Sequence, residues 1–418
     1  MPERNQVLIS AGSLFDGLGG CSKADQAVLL ADERIAAVGP TEEVERQAAP
    51  GTERVDLGSA CLTPGLIDGH THLSLGGDRR TYAEMFADSD ETMVLAGVMN
   101  MQRHLAAGIT TIREHGARNR VGFTLKEGLS RGYIPGPRLF VSGRPITCTG
   151  GHFHMCNEIA DGEEELRRSV RRLVHEGADY IKIMASGGST EGTIPGCATY
   201  TREELHAAVH EAHHFKRPTV AHCRARESML RALQAGVDLL EHVEFLEADD
   251  QYHFDPALAE MMAEAKIYLS PTLQASTRYQ RILQLEALRD ADSLSPAEEE
   301  ELGALSERSE RRLDLMRRLL EYDLRDRIVP GTDSGVRDLA FGHVDYELQL
   351  LVSTGFTAAE ALTATTRTAA EAIGMGSEIG TIEPGKVADL AAFDGDPSRD
   401  IRALSRVVAV FQAGRRIR

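Results

Sequence analysis

The sequence predicts an α/β protein, a parallel (β/α)8 barrel of the TIM type with a small β-sandwich built from both chain termini. Three observations predict it. Through the middle of the chain, eight short apolar runs bounded by turn residues alternate with helical patterns. At both ends, apolar runs are separated by glycine and proline turns with no helical pattern between them. The glycine fingerprint that opens a doubly wound dinucleotide-binding sheet is absent, which disfavours that alternative. With 418 residues, the chain can bury a sizeable core in one large and one small unit.

Residues 1–62 supply Val7-Leu8-Ile9, Val28-Leu29-Leu30, Ile35-Ala-Ala-Val38 and Val55-Asp-Leu57, punctuated by Asp16-Gly17, Gly19-Gly20 and Gly39-Pro40. So small a unit needs a complement. Residues 380–418 offer one, with a turn at Gly380-Thr-Ile-Glu-Pro-Gly followed by Ala388-Asp-Leu-Ala-Ala-Phe and Arg406-Val-Val-Ala-Val-Phe. The barrel is expected over 63–379, with strands at 66–72, 109–113, 139–142, 180–184, 219–222, 239–243, 267–270 and 328–333. Helices are expected at 163–176, 202–215 and 227–234. One segment, at about 274–327, breaks the rhythm as a helical insertion. Ser295-Pro296 followed by Glu298 to Glu301 marks a helix start there. Its leucines Leu302, Leu305, Leu313, Leu315, Leu319 and Leu320 form an apolar stripe, available for internal packing or for the contact of an expected homo-oligomer.

The charge balance excludes some partners. With 64 acidic and 46 basic residues the formal net charge is −18, which argues against nucleic acid or an anionic membrane. No run approaches the ~20 apolar residues of a membrane span, and the first residues carry no leader pattern, so a cytoplasmic protein is expected. The six cysteines include no Cys-x-x-Cys pair and read as free thiols. Cys223, directly after His222, is the one placed to face a site.

Candidate site residues gather at strand ends. His70 and His72 are two apart at the end of the first strand, so both imidazoles enter one cavity. In a barrel the carboxyl ends of all strands converge on one mouth, which brings Lys182, His222, His242 and Asp333 to the same place. Four imidazoles, a carboxylate and a lysine form a ligand set for two divalent metal ions.

These residues carry a resemblance. Thr63-Pro-Gly-Leu-Ile-Asp-Gly-His-Thr-His, Thr149-Gly-Gly-His, Tyr180-Ile-Lys-Ile-Met-Ala-Ser-Gly-Gly, Glu241-His, Gly331-Thr-Asp and Ile382-Glu-Pro-Gly-Lys-Val-Ala-Asp-Leu are quoted in chain order. Together they resemble the binuclear metal-dependent amidohydrolase superfamily over nearly the whole chain, in the branch related to imidazolonepropionase and to Xaa-Pro and Xaa-Arg/Lys dipeptidases. The resemblance implies that His70, His72 and Asp333 hold one ion and His222 and His242 the other. It also implies that Lys182 bridges the two as a carbamate formed with carbon dioxide. Zinc suits the ligand types. Asp333 would take the proton of an attacking water and return it to the leaving nitrogen, and His152 would stand near the scissile carbonyl.

Other candidates line the mouth: His154, His115, Tyr200, Arg144 and the Gly187-Gly188 loop. After the fifth strand the chain departs from its relatives, reading His222-Cys-Arg-Ala-Arg-Glu, so Arg224 or Arg226 is available either to fork onto a substrate carboxylate or to pair with Glu227, Glu241 or Glu244 for structure. The expected function is hydrolysis of an amide bond in a small molecule, a dipeptide or an N-acyl amino acid. The alternatives are a cyclic amide, urea, carbamate or lactone as substrate, and a barrel that serves only as a scaffold.

Overall fold

The computed structural model describes residues 6–418. The amino-terminal part forms β1 (Gln6–Leu14), β2 (Lys23–Ala31), β3 (Arg34–Pro40), β4 (Glu53–Asp56) and β5 (Cys61–Pro64). The parallel strands follow as β6 (Leu66–Thr71), β7 (Ile109–Glu114), β8 (Arg138–Val141), β9 (Ile181–Met184), β10 (Thr219–Ala225), β11 (Leu239–Leu246) and β12 (Tyr268–Ser270). Last come β13 (Leu390–Phe393), β14 (Val407–Gln412) and β15 (Arg415–Arg416).

The two chain ends do pair. β5 runs parallel to β1 and antiparallel to β13, with Leu390 opposite Pro64. The result is one eight-stranded sheet in the order β15-β14-β13-β5-β1-β2-β3, with β4 beside β1. This corrects the expected pair of stacked sheets. Period-2 alternation still sorts its apolar residues: Ile9, Val28, Leu30 and Leu62 join one cluster, and Leu8, Leu29 and Ala37 join another. The second cluster also takes in Val44, from the short helix Thr41–Glu45.

The parallel strands form a sheet β6-β7-β8 and a sheet β12-β11-β10-β9. All seven lie within a few residues of their expected places. Single parallel bridges link the sheets, between Ile146 and Ile183 on one side and between Leu269 and Ile328 and between Thr71 and Ser334 on the other. The expected eighth strand is therefore corrected to a bridging segment. Pro330 has no N–H to give to a ladder, and Asp333 has a φ of 56°, outside the extended region. What holds the segment are separate hydrogen bonds, from Val329 N to Leu269 O at 2.8 Å, Gly69 N to Pro330 O at 2.9 Å and Asp333 N to His70 O at 2.8 Å.

Helices Glu163–Glu176, Arg202–His214 and Arg226–Ala235 follow the strands as expected. Thr201 and Glu204 make a capping box for the second, and glycines 177 and 236 end the first and third in the left-handed region. The insertion forms helices Leu273–Thr277, Tyr279–Asp290 and Pro296–Leu319. Ser295 and Glu298 box the last, as the sequence reading requires. Its leucine stripe is not an outer contact: Leu313, Leu315, Leu319 and Leu320 are buried in the main core, and Leu302 packs on Ile282 and Leu285. Among the described residues no helix is long and apolar enough to cross a membrane.

Candidate metal centre

Close backbone approach builds the site. A Cβ on Gly331 would fall 2.5 Å from the Cβ of His70, and one on Gly69 would fall 2.8 Å from the Pro330 carbonyl. Only glycine lets β6 and the Pro330–Ser334 segment lie this close. Buried Asp68 then pins them together, accepting from His70 N at 3.1 Å, Thr332 N at 3.0 Å and Thr332 Oγ1 at 2.6 Å. In consequence Asp333 Oδ1 stands 3.2 Å from His70 Nε2 and 3.2 Å from His72 Nε2.

The imidazoles are fixed from behind. His72 Nδ1 reaches Gly116 O at 3.3 Å, His222 Nε2 reaches Gly187 O at 3.1 Å and His242 Nδ1 reaches Thr272 Oγ1 at 2.7 Å. A ring that donates one N–H to a carbonyl turns the lone pair of its other nitrogen outward, the usual posture of a metal ligand. The rings of His70 and His242 are 5.3 Å apart and those of His222 and His242 4.4 Å apart. Burial pushes the His70 imidazole down to about 4 and holds His222, His242 and His152 well below the ordinary histidine range. All four imidazoles are therefore neutral at neutral pH. Burial would raise the Asp333 carboxyl, but the charge and hydrogen bonds of His70, with those of His72, outweigh it and hold the group well below its usual value.

Lys182 is fully buried with Nζ against the carboxylate of Glu241, and burial pulls its ammonium down to about 7. Glu241 also meets His115 Nδ1 at 2.6 Å and His70 Nδ1 at 3.2 Å. These contacts are close but misdirected. Lys182 Nζ, both Glu241 oxygens, His70 Nδ1, His115 Nδ1 and Asp333 Oδ1 are buried and make no aligned hydrogen bond. Buried polar atoms left so are costly, and divalent cations would satisfy the carboxylate oxygens and imidazole nitrogens among them. The donor set fits such ions. Ligand atoms of His70, His242 and Asp333 lie within 4.8 Å of one another, and so do those of His70, His115 and Glu241.

A cavity of about 820 Å³ opens over this cluster, lined by His70, His72, His152, Lys182, His222, His242 and Asp333. Its volume suits a small molecule. Tyr82, Phe153, Met155, Pro195 and Leu339 give it apolar wall.

The profile of the amidohydrolase family matches residues 61–417. The chain belongs to that family. It is 27% identical to an ochratoxinase of Aspergillus niger, over 98% of this chain and 85% of the relative. An imidazolonepropionase of Agrobacterium fabrum is 25% identical over 94% of this chain and 89% of its own. Among solved structures, an Xaa-Pro dipeptidase with methionine bound in its active site superposes with a TM-score of 0.82 at 26% identity, covering 98% of this chain and 99% of that one. As an amidohydrolase the protein is an enzyme.

Several predicted residues of this amidohydrolase meet at the cavity. His152 lies on the wall, its Nδ1 2.7 Å from Thr190 Oγ1 and its ring 4.6 Å from that of His222. His154 lines the cavity as well, and Gly188 lets the backbone pass against the His152 ring. Arg224 lines it but is forked onto buried Glu244. Others are corrected. Arg226 opens a helix and is engaged by Glu247 at 2.5 Å and Asp255 at 3.3 Å, away from the cavity. Tyr200 is buried in the main core, off the cavity wall, and donates its hydroxyl to Ala160 O at 2.9 Å. Arg144 pairs with Glu158 and Glu176. The thiol of Cys223 packs into the main core rather than lining the cavity.

Sequence reading missed Glu241, Asp68 and Arg312. Strand alternation permits only one of Glu241 and His242 to face inward, yet both reach the cluster. His242 has a φ of 64° and Val243 one of 51°, so β11 turns in the left-handed region there and both side chains point in. Fully buried Arg312, from the insertion, supports this turn by donating to His242 O, to Pro271 O at 3.1 Å and to Ser276 Oγ at 3.2 Å. The Glu241-His pair was the only available signal.

Proposed function

We propose that this amidohydrolase is a metal-dependent hydrolase that cleaves the amide bond of a dipeptide or an N-acyl amino acid. The observation that carries the reading is the convergence of His70, His72, His222, His242, Lys182 and Asp333 on one cavity. In this reading His70, His72 and Asp333 hold one divalent ion, with zinc favoured by ligand type, and His222 and His242 hold the other. Lys182, whose burial favours the neutral amine that carbon dioxide requires, would help to hold both as its carbamate. When bound, the ions supply Lewis acidity to the carbonyl and acidify water.

The chain's own residues do the rest. Asp333, held ionised, accepts the proton of the attacking water and returns it to the leaving nitrogen. His152, neutral and fixed by Thr190, donates a hydrogen bond to the carbonyl oxygen as negative charge develops on it. The wall of Tyr82, Phe153 and Met155 excludes bulk water. The fold serves the same reading: the two parallel sheets, of seven strands, and the bridging segment 328–334 surround the cavity as a barrel within 63–379, and residues 6–62 with 380–418 form an accessory β domain.

The test is hydrolysis of a panel of Xaa-Pro and Xaa-Arg dipeptides and N-acyl amino acids by zinc-reconstituted protein, beside ureas, carbamates and cyclic amides. Turnover of the linear amides, abolished by chelator and restored by metal, is expected. Turnover confined to the other classes would reject the substrate and leave the centre.

A further inference from the structure

Four guanidinium groups line the cavity, those of Arg224, Arg278, Arg308 and Arg337. Three of them already face carboxylates. Arg224 directs Nε and Nη2 to Glu244, each at 3.0 Å. Arg278 is paired with Asp338, and Arg337 Nε lies 3.9 Å from the same carboxylate. Arg308 is different: among the described residues it has no ion-pair partner, and its Nε donates to the Ser276 carbonyl at 3.1 Å. That bond leaves the two terminal nitrogens of the guanidinium uncommitted in a half-buried wall.

We propose that Arg308 binds the carboxylate of the substrate and so selects N-acyl amino acids and dipeptides over neutral amides. The proposal rests on the amide reading above, because in those substrates a carboxylate sits one carbon from the leaving nitrogen. A guanidinium offers that group two parallel N–H bonds, and a setting sheltered from water strengthens them. The helix Pro296–Leu319 fixes the arginine in place. Arg312, one turn later on the same face, is locked to the carbonyls of His242 and Pro271, which ties Arg308 to the imidazole cluster. Arg224 and Arg226, which the sequence offered for this role, are both engaged by acids of the chain itself.

The experiment compares N-acetyl-L-proline and N-acetyl-L-phenylalanine with their neutral carboxamides on the metal-loaded enzyme. Those turned over are read as kcat/KM, with KM and kcat separated, and those not turned over as calorimetric dissociation constants. The enzyme is expected to prefer the carboxylates. Arg308→Ala is expected to weaken carboxylate recognition roughly 10- to 100-fold, to leave the carboxamides within about twofold, and to act on KM rather than kcat. Arg308→Lys should recover part of the loss. Equal effects on both members of each pair, no effect on either, or a wild-type enzyme without preference would overturn the proposal. Carboxylate binding that depends on Arg308 without hydrolysis would instead count against the amide reading alone.

Discussion

Asp333 is the residue on which the proposed chemistry turns, since it touches both His70 and His72 and is the one carboxylate of the predicted set. Asp333→Asn keeps the shape and removes the proton acceptor, so kcat/KM is expected to fall by about 10²- to 10⁴-fold in steady-state assays. Glu241 is the less visible partner. Glu241→Ala would leave Lys182, His70 and His115 without the carboxylate they share, and buried groups stripped of a charged partner are costly, about 3–5 kcal/mol. A drop in denaturation midpoint with loss of bound metal is expected, and an unchanged midpoint would remove Glu241 from the account. Asp333 was legible in the sequence because it ends an apolar run, whereas Glu241 was hidden by the left-handed turn at His242 and Val243, which period-2 reading cannot anticipate.

The element that most interrupts the alternation of strand and helix is the insertion. Its boundaries and its capping box were readable from composition and capping chemistry, but its purpose was not, because Arg312 acts only through the carbonyls of His242 and Pro271. Arg312→Met removes the donors from those buried carbonyls, at roughly 1–3 kcal/mol each. Since one of them belongs to a proposed ligand, metal affinity is expected to fall about 10- to 100-fold in chelator competition. Wild-type metal retention in that variant would make the arginine a packing residue only. On the facing element, Gly331→Ala would drive a methyl into His70 and cost about 1–3 kcal/mol, seen as a lower unfolding midpoint together with weaker metal binding.

At the scale of the whole molecule, alternation of strand and helix was enough to place seven parallel strands, and the pairing of the two chain ends followed from their shared turn-and-strand character. The eighth position was not a strand, since Pro330 and the left-handed Asp333 interrupt any ladder there, though the residue that mattered still arrived at the site. Two sheets expected at the termini are one, because β5 bonds to strands from both ends. Distances between site residues were never in the sequence: Tyr200 and Arg226 looked well placed along the chain and face elsewhere.

The most direct test of the account is the metal content of the purified chain after reconstitution with zinc and bicarbonate, beside Lys182→Ala and His70→Ala/His72→Ala variants. About two ions per chain are expected for the unaltered protein, with both variants depleted. A chain that folds yet binds no zinc, or retains two ions without Lys182, would contradict the proposed centre.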